Sequence, residues 1–166
     1  MEDITRKLNF LLANLQVQRA NLQAVHWNLR GCHSFLTFHG YFGGLYDANT
    51  GHIDMIAELV RIHRGSPFIS FSRYLRRATI SEVSERESMD IEAALNKAFR
   101  DNLDIMGQIK DLFASTATNA PDINDYMALM SGDYGKRQWF LTSSMSSSVP
   151  ATPKMEEKEE EEEVED

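Results

Sequence analysis

The chain has 166 residues, 17 Lys and Arg against 25 Asp and Glu, and a single cysteine. That length fits one domain with a sizeable core. Its longest apolar runs are a few residues, far short of the roughly 20 a membrane span needs, and the charged start (Glu2, Asp3, Arg6, Lys7) argues against a basic-then-apolar signal peptide.

In chain order, Ile4, Leu8, Leu11, Leu15 and Leu22 recur at helical spacing, with Leu12 and Val25 widening the stripe. This predicts one amphipathic helix over the first 30 residues, capped by Asp3 and stopped by Gly31. A second helix is expected from Thr37 to Arg64, weakened by Gly40, Gly43, Gly44 and Gly51 and ended by Gly65-Ser66-Pro67. Four glycines in one helix point to close approach of a neighbour or a local irregularity. Residues 66–88 read as a crossover with a short helical turn around Ser72–Arg77. A third helix is predicted from Met89 to Thr116 on the spacing of Ile91, Leu95, Phe99, Leu103, Met106, Ile109 and Phe113. Pro121 breaks the chain, and a fourth helix follows over Ile123–Met145, interrupted or bent near Gly132 and Gly135. No run alternates with period two, so no sheet is expected. The fold class is all-α: a four-helix bundle of ferritin-like topology with a short helix in the long crossover between helices two and three.

The bundle is expected to occupy residues 1–145 and a disordered acidic tail residues 146–166. Residues 152–166 hold nine acidic and two basic residues, so nearly all of the net charge of −8 sits there. Such a run cannot bury enough surface to order itself. The lone Cys32 excludes an intramolecular disulfide framework and a Cys-rich zinc module, and the composition points to a cytoplasmic protein.

No P-loop, dinucleotide fingerprint or GxSxG elbow is present. The chemistry-bearing stretch is His26 to Glu58, with His26, His39, His52, Asp54 and Glu58. Asp54 and Glu58 lie i, i+4 and share a helix face. His39 precedes Asp54 by 15 residues, about 22 Å along a straight helix, so one ion cannot bind both within a chain. An antiparallel two-fold copy would bring the histidine end of one helix against the acidic end of the other. Imidazole with carboxylate suits iron, manganese or zinc. From spacing alone, a solvated acidic face and ordinary core or surface histidines are the commoner reading of such residues.

The segment Leu8–Gly31, LNFLLANLQVQRANLQAVHWNLRG, followed by Phe38-His39 and by HIDMIAEL at His52–Leu59, resembles the Dps family of ferritin-like mini-ferritins. Ser72-Arg73-Tyr74-Leu75 and ATISEVS at Ala78–Ser84 resemble that family's crossover, and Lys136 with Trp139-Phe140-Leu141 its last helix. The likeness covers residues 4–145. It implies a homo-oligomeric shell of twelve subunits that oxidises Fe(II) with hydrogen peroxide or oxygen at inter-subunit sites and stores Fe(III) inside. It further implies His26 and His39 as metal ligands from one chain and Asp54 and Glu58 from its partner. Trp27 would stand beside the site, as an oxidisable ring or as a buried aromatic anchor. The family usually places an acidic ligand where this chain has Gly43, which weakens one metal position. Asp47 is not promoted in its place, and His33 and His52 are expected to be solvated or structural. The loop from Gly31 to His39 is one residue longer than usual.

The acidic tail would repel DNA, and the cluster of Arg61, Arg64, Arg73, Arg76 and Arg77 reads as a solvated face, so DNA binding is expected to be weak or absent. The preferred reading is a ferroxidase and iron-storage enzyme. The alternatives are a non-catalytic structural or metal-binding assembly and a DNA-binding protection protein.

Overall fold

The computed structural model describes residues 2–31, 34–84 and 89–145. Among the described residues the helices are α1 (Glu2–Asn28), α2 (Phe35–Ile62), α3 (Phe71–Arg77), α4 (Ile91–Thr116) and α5 (Pro121–Met145). The four long helices make an antiparallel bundle, with α3 inside the crossover between α2 and α4. No strand occurs among the described residues, so the all-α, ferritin-like reading holds. Residues 146–166, on which the expected tail falls, lie outside the described residues, as do Cys32 and His33.

The α1 stripe does what its spacing requires. Leu8, Leu11, Leu12 and Leu15 are fully buried, facing Ile56, Leu59, Ile105, Leu112, Ile123 and Met127. Each such side chain contributes about 2–3 kcal/mol of apolar burial. A second cluster, built on Leu22, Val25, Leu29, Phe42, Leu95 and Leu141, fills the other end.

The crossover is strapped along α1 by three of its asparagines. Asn9 Oδ1 accepts from Phe68 N at 2.8 Å, Asn14 Oδ1 accepts from Thr79 N at 2.8 Å and Ile80 N at 3.0 Å, and Asn21 Oδ1 accepts from Val83 N at 2.8 Å. An irregular segment has no ladder of its own, so side-chain amides must satisfy its buried backbone groups. Replacing Asn14 with alanine orphans two backbone donors at once. The expected result is a loss of about 2 kcal/mol, read as a lower denaturant midpoint with an unchanged slope.

Several expected boundaries move. Asp3 is not a cap: α1 already runs from Glu2, and the Asp3 carboxylate binds Arg6 within the first turn. Gly31 does not adopt a left-handed backbone. An added Cβ there would lie 2.5 Å from Ile91 Cδ1, the end of a side chain that would have to shift. The left-handed residue after α2 is Arg64, φ 62°. Pro121 opens α5 rather than only breaking the chain, since a missing N–H costs nothing at a first helical position. α5 runs uninterrupted through Gly132 and Gly135, and α2 through its four glycines. The buried stripe of α4 is Ala94, Leu95, Ala98, Asp101, Asn102, Ile105, Ile109 and Leu112. Leu103 and Phe113, expected inside, are 46% and 43% exposed.

Candidate metal centre

His26, in the last turn of α1, and His39, in the second turn of α2, meet face to face. Their ring centroids are 3.8 Å apart with planes inclined by 21°. His26 Nδ1 donates to the His39 carbonyl at 2.7 Å, and His39 Nδ1 donates to the His26 carbonyl at 2.9 Å. A neutral imidazole carries one N–H, and a carbonyl can only accept, so the proton is on Nδ1 in both rings. Each Nε2 keeps its lone pair. This is how metal-binding histidines are oriented, with the far nitrogen anchored and the near one basic.

Gly43 lies against this pair: a Cβ there would stand 3.2 Å from His26 Cε1 and 3.3 Å from His26 Nδ1, so a side chain at this position would require the His26 ring to give by a few tenths of an ångström. Phe35 stacks on the open side of His39 at 5.2 Å, and Tyr46 meets His26 edge-on at 5.4 Å. These two aromatics carry no metal-ligand chemistry and were not legible as neighbours of the site. Phe35 sits one turn before His39, which is the only sequence cue. Trp27 is 68% exposed in the single chain and therefore is not a buried anchor within it.

Asp54 and Glu58 are both exposed on α2, four residues apart. They lie down the same helix from His39 and do not join the two histidines within one chain. Among the described residues, no group of three or more His, Cys, Asp or Glu of a single chain could hold a metal ion. Gly40, Gly44, Ala48 and Gly51 are exposed on the same face of α2 as Asp47, Asp54 and Glu58. At the three glycines an added Cβ would touch nothing within 4 Å. Packing inside the chain therefore does not require these three glycines, and together they leave a smooth strip beside the acidic pair.

His52 has the structural role. It is buried between α2 and α5, where its Nε2 donates to Asp133 Oδ2 at 2.8 Å and its Nδ1 accepts from the Tyr126 hydroxyl at 2.9 Å. Arg137 Nη2 donates to the same Asp133 oxygen at 2.6 Å, and Arg137 Nη1 donates to Asn49 Oδ1 at 2.5 Å. Gln18 Oε1 accepts from Asn49 Nδ2 and from the Tyr134 hydroxyl, each at 2.8 Å. Burial pushes the His52 imidazole below the ordinary histidine range, with Arg137 adding to the effect and Asp133 opposing it. For Asp133, burial alone would raise the carboxyl. The His52 bond and the Arg137 charge outweigh it and hold the group low. The middle of the bundle thus holds amides, a tyrosine and an arginine-paired carboxylate. The signal for Asp133 was its i, i+4 spacing to Arg137. No helix among the described residues is long and apolar enough to cross a membrane.

Residues 5–146 match the ferritin-like domain family. The chain is 32% identical over 143 residues to a DNA protection during starvation protein from Porphyromonas gingivalis, covering 84% of this chain and 87% of that one. It is 35% identical over 103 residues to a DNA protection during starvation protein from Brevibacillus brevis, covering 62% and 67%. Among solved structures it is similar to a Dps protein from Bacillus brevis, TM-score 0.82 and 27% identity over 87% of this chain and 96% of that one. The Dps protein from Vibrio cholerae O1 gives TM-score 0.83 and 27% identity over 87% and 90%, and is described as a member of a superfamily of ferritin-like diiron-carboxylate proteins.

Proposed function

Because the chain belongs to the Dps family of ferritin-like proteins, we propose that it oxidises Fe(II) with hydrogen peroxide or oxygen at sites shared by two copies and stores the Fe(III) product in a closed, twelve-subunit shell. The observation that carries this reading is the pair of anchored histidines whose Nε2 atoms are free. They form half of a ligand set whose natural complement, Asp54 and Glu58, lies on an exposed face of the same helix. Two imidazoles do not satisfy a hard ferric ion, which needs carboxylate oxygen.

The glycine strip supports the pairing. An antiparallel copy of α2 crossing at the middle of Gly40–Gly51 brings His39 within about 3 Å, along the axis, of the level of the partner's Asp54. Small residues let two helix backbones approach closely enough for such ligands to meet. Each chain then gives His26 and His39 to one site and Asp54 and Glu58 to the other, two sites per dimer. Exposed Leu36, Phe71, Leu129 and Trp139 add apolar surface that a shell would cover.

At such a site the imidazoles capture Fe(II) and the carboxylates stabilise the charge gained on oxidation. Two Fe(II) each give up one electron. One peroxide takes both with two protons and leaves as two waters, so no hydroxyl radical is released. Trp27, exposed beside His26, is an oxidisable ring placed to intercept a stray one-electron oxidant. Within the same reading, DNA binding is weak or absent, since residues 152–166 are acidic.

Anaerobic Fe(II) loading followed by peroxide tests the site. The expected result is rapid ferric absorbance in the native chain and at least a tenfold slower rise in His39→Ala and in Asp54→Ala/Glu58→Ala. Equal rates in all three reject it. Shell assembly with no iron uptake would instead favour a non-catalytic metal-binding assembly, the reading that Gly43 keeps open.

A further inference from the structure

We propose that the arginine cluster of the crossover is the docking surface for the protein's own acidic segment, residues 156–166, and that this contact keeps nucleic-acid phosphates off the cluster.

From Leu59 to Ser81 the chain has five arginines, Arg61, Arg64, Arg73, Arg76 and Arg77, and no aspartate or glutamate. Arg73, Arg76 and Arg77 are three and four apart on α3, so they share one face. Arg61 and Arg64 stand where α2 runs into the crossover. All five are exposed, and among the described residues none pairs with a carboxylate. The contacts two of them do make are with uncharged groups: Arg61 donates to the Gly65 carbonyl at 3.0 Å, and the Arg73 guanidinium lies 4.0 Å from the Phe68 ring centroid. By contrast, Arg6, Lys7, Lys97 and Arg137 each have an acidic partner. Arg64 also holds a left-handed backbone, φ 62°, which glycine adopts without a Cβ penalty. Five like charges with no counter-charge among them produce a positive field that attracts a polyanion.

Residues 156–166 have the complementary charge, nine acidic residues and one lysine. They are also within reach. The straps from Asn9 to Phe68 and from Asn14 to Thr79 hold α3 beside the first half of α1. The end of α5 lies beside the last turns of α1, where Leu141 packs with Leu22, Val25 and Leu29. At 1.5 Å per residue of α1, the two places are about 20–30 Å apart along the bundle. Extended chain from Met145 spans roughly 36–40 Å to Glu156 and roughly 70 Å to Asp166. A single exposed ion pair contributes little. Nine carboxylates against five guanidiniums act together, and the covalent link keeps them at an effective concentration of about millimolar. Duplex phosphates, which would bind the same guanidiniums, must displace them.

Two measurements on the full, assembled chain test this. In Arg73→Lys/Arg76→Lys/Arg77→Lys the charge is kept, and each position gains an amine that a zero-length carbodiimide joins to a touching carboxylate. Mass mapping is expected to find residues 156–166 joined to positions 73–77 at low salt, and at least tenfold less of that product in about 0.5 M salt, where charges are screened within a few ångströms. Cross-links to the exposed Lys110 and Lys136 as frequent as those to the cluster would overturn the proposal. So would the absence of any cross-link to the cluster, the result if a second copy covers it. The other measurement is fluorescence anisotropy with a short duplex DNA at low salt. Glu156→Gln, Glu157→Gln and Glu159→Gln through Glu163→Gln together are expected to raise the affinity at least tenfold. Adding Arg61→Gln, Arg64→Gln, Arg73→Gln, Arg76→Gln and Arg77→Gln is expected to cancel the gain. No gain from the glutamine changes would show that nothing is masked. A gain that survives loss of the arginines would show that the acidic segment repels DNA from a distance without resting on them. Either result overturns the proposal.

Discussion

Two variants, each expected to be inactive alone, should regain iron oxidation when they are dissociated and reassembled together. One carries His26→Ala and His39→Ala, the other Asp54→Ala and Glu58→Ala. Alone, each would lack half of every site, because the proposed site draws its imidazoles from one chain and its carboxylates from the other. In a mixed pair, the second variant supplies both histidines and the first supplies both acids, so one of the two sites is whole and the other has neither half. Equal mixing with random pairing makes half of the pairs mixed, which restores about a quarter of the native sites. Stopped-flow ferric absorbance should rise from near zero in either variant to about that fraction in the mixture. No recovery, with co-assembly verified by mass, would mean that the two halves do not meet. A site within one chain cannot produce this recovery, so the experiment isolates the symmetry argument from every question of oxidant and storage.

Why the helices were readable and parts of the site were not has a physical explanation. Apolar periodicity reports which face is buried, and α1 has one unambiguous stripe, Leu8 to Leu22. α4 has two: the buried one from Leu95 to Leu112, and an outer edge with Leu103 and Phe113 that remains exposed in the single chain. Hydrophobic spacing does not distinguish a core from a surface awaiting another chain. The glycines of α2 misled in the opposite direction. Judged by propensity they weaken a helix, yet α2 runs unbroken through them, and three of the four meet nothing inside the chain. Tertiary packing decides helix formation where propensity is marginal. His26 and His39 were visible as residue types at a telling spacing. Their stacking and shared carbonyl anchors were not, because these depend on how the end of α1 packs on the start of α2. The asparagines at 9, 14 and 21 carried no motif, although they determine the course of the crossover.

Arg137→Ala is expected to cost about 3–4 kcal/mol near neutral pH, with a deficit that narrows in acid. Arg137 is 5% exposed and bonds Asp133 and Asn49, and its guanidinium lies 4.4 Å from the Tyr134 ring centroid. Removing one partner of a buried pair leaves the other charge uncompensated, typically at 3–5 kcal/mol. The Asp133 side chain keeps 39% of its exposure, which places the cost in the lower part of that range. At about 2–4 °C per kcal/mol for a chain of this size, melting should fall by roughly 10 °C. The pH dependence follows from His52. Its folded pKa is lowered from 6.5, so below that pH the unfolded chain binds more protons than the folded one. The stabilisation from neutral His52 is complete above about pH 6.5 and is lost as pH falls through the lower, folded value. Without Arg137, His52 loses the repulsion that helps keep it neutral and faces Asp133 as its only charged neighbour in the network. Protonated His52 then replaces the missing cation, its folded pKa rises relative to the native chain, and acid recovers part of what the substitution removed. Urea titrations of both chains between pH 5.5 and 7.5 should show the difference in stability shrinking toward pH 5.5. A constant difference would place the whole effect of Arg137 in packing against Tyr134 and the bond to Asn49, with no coupling to the histidine.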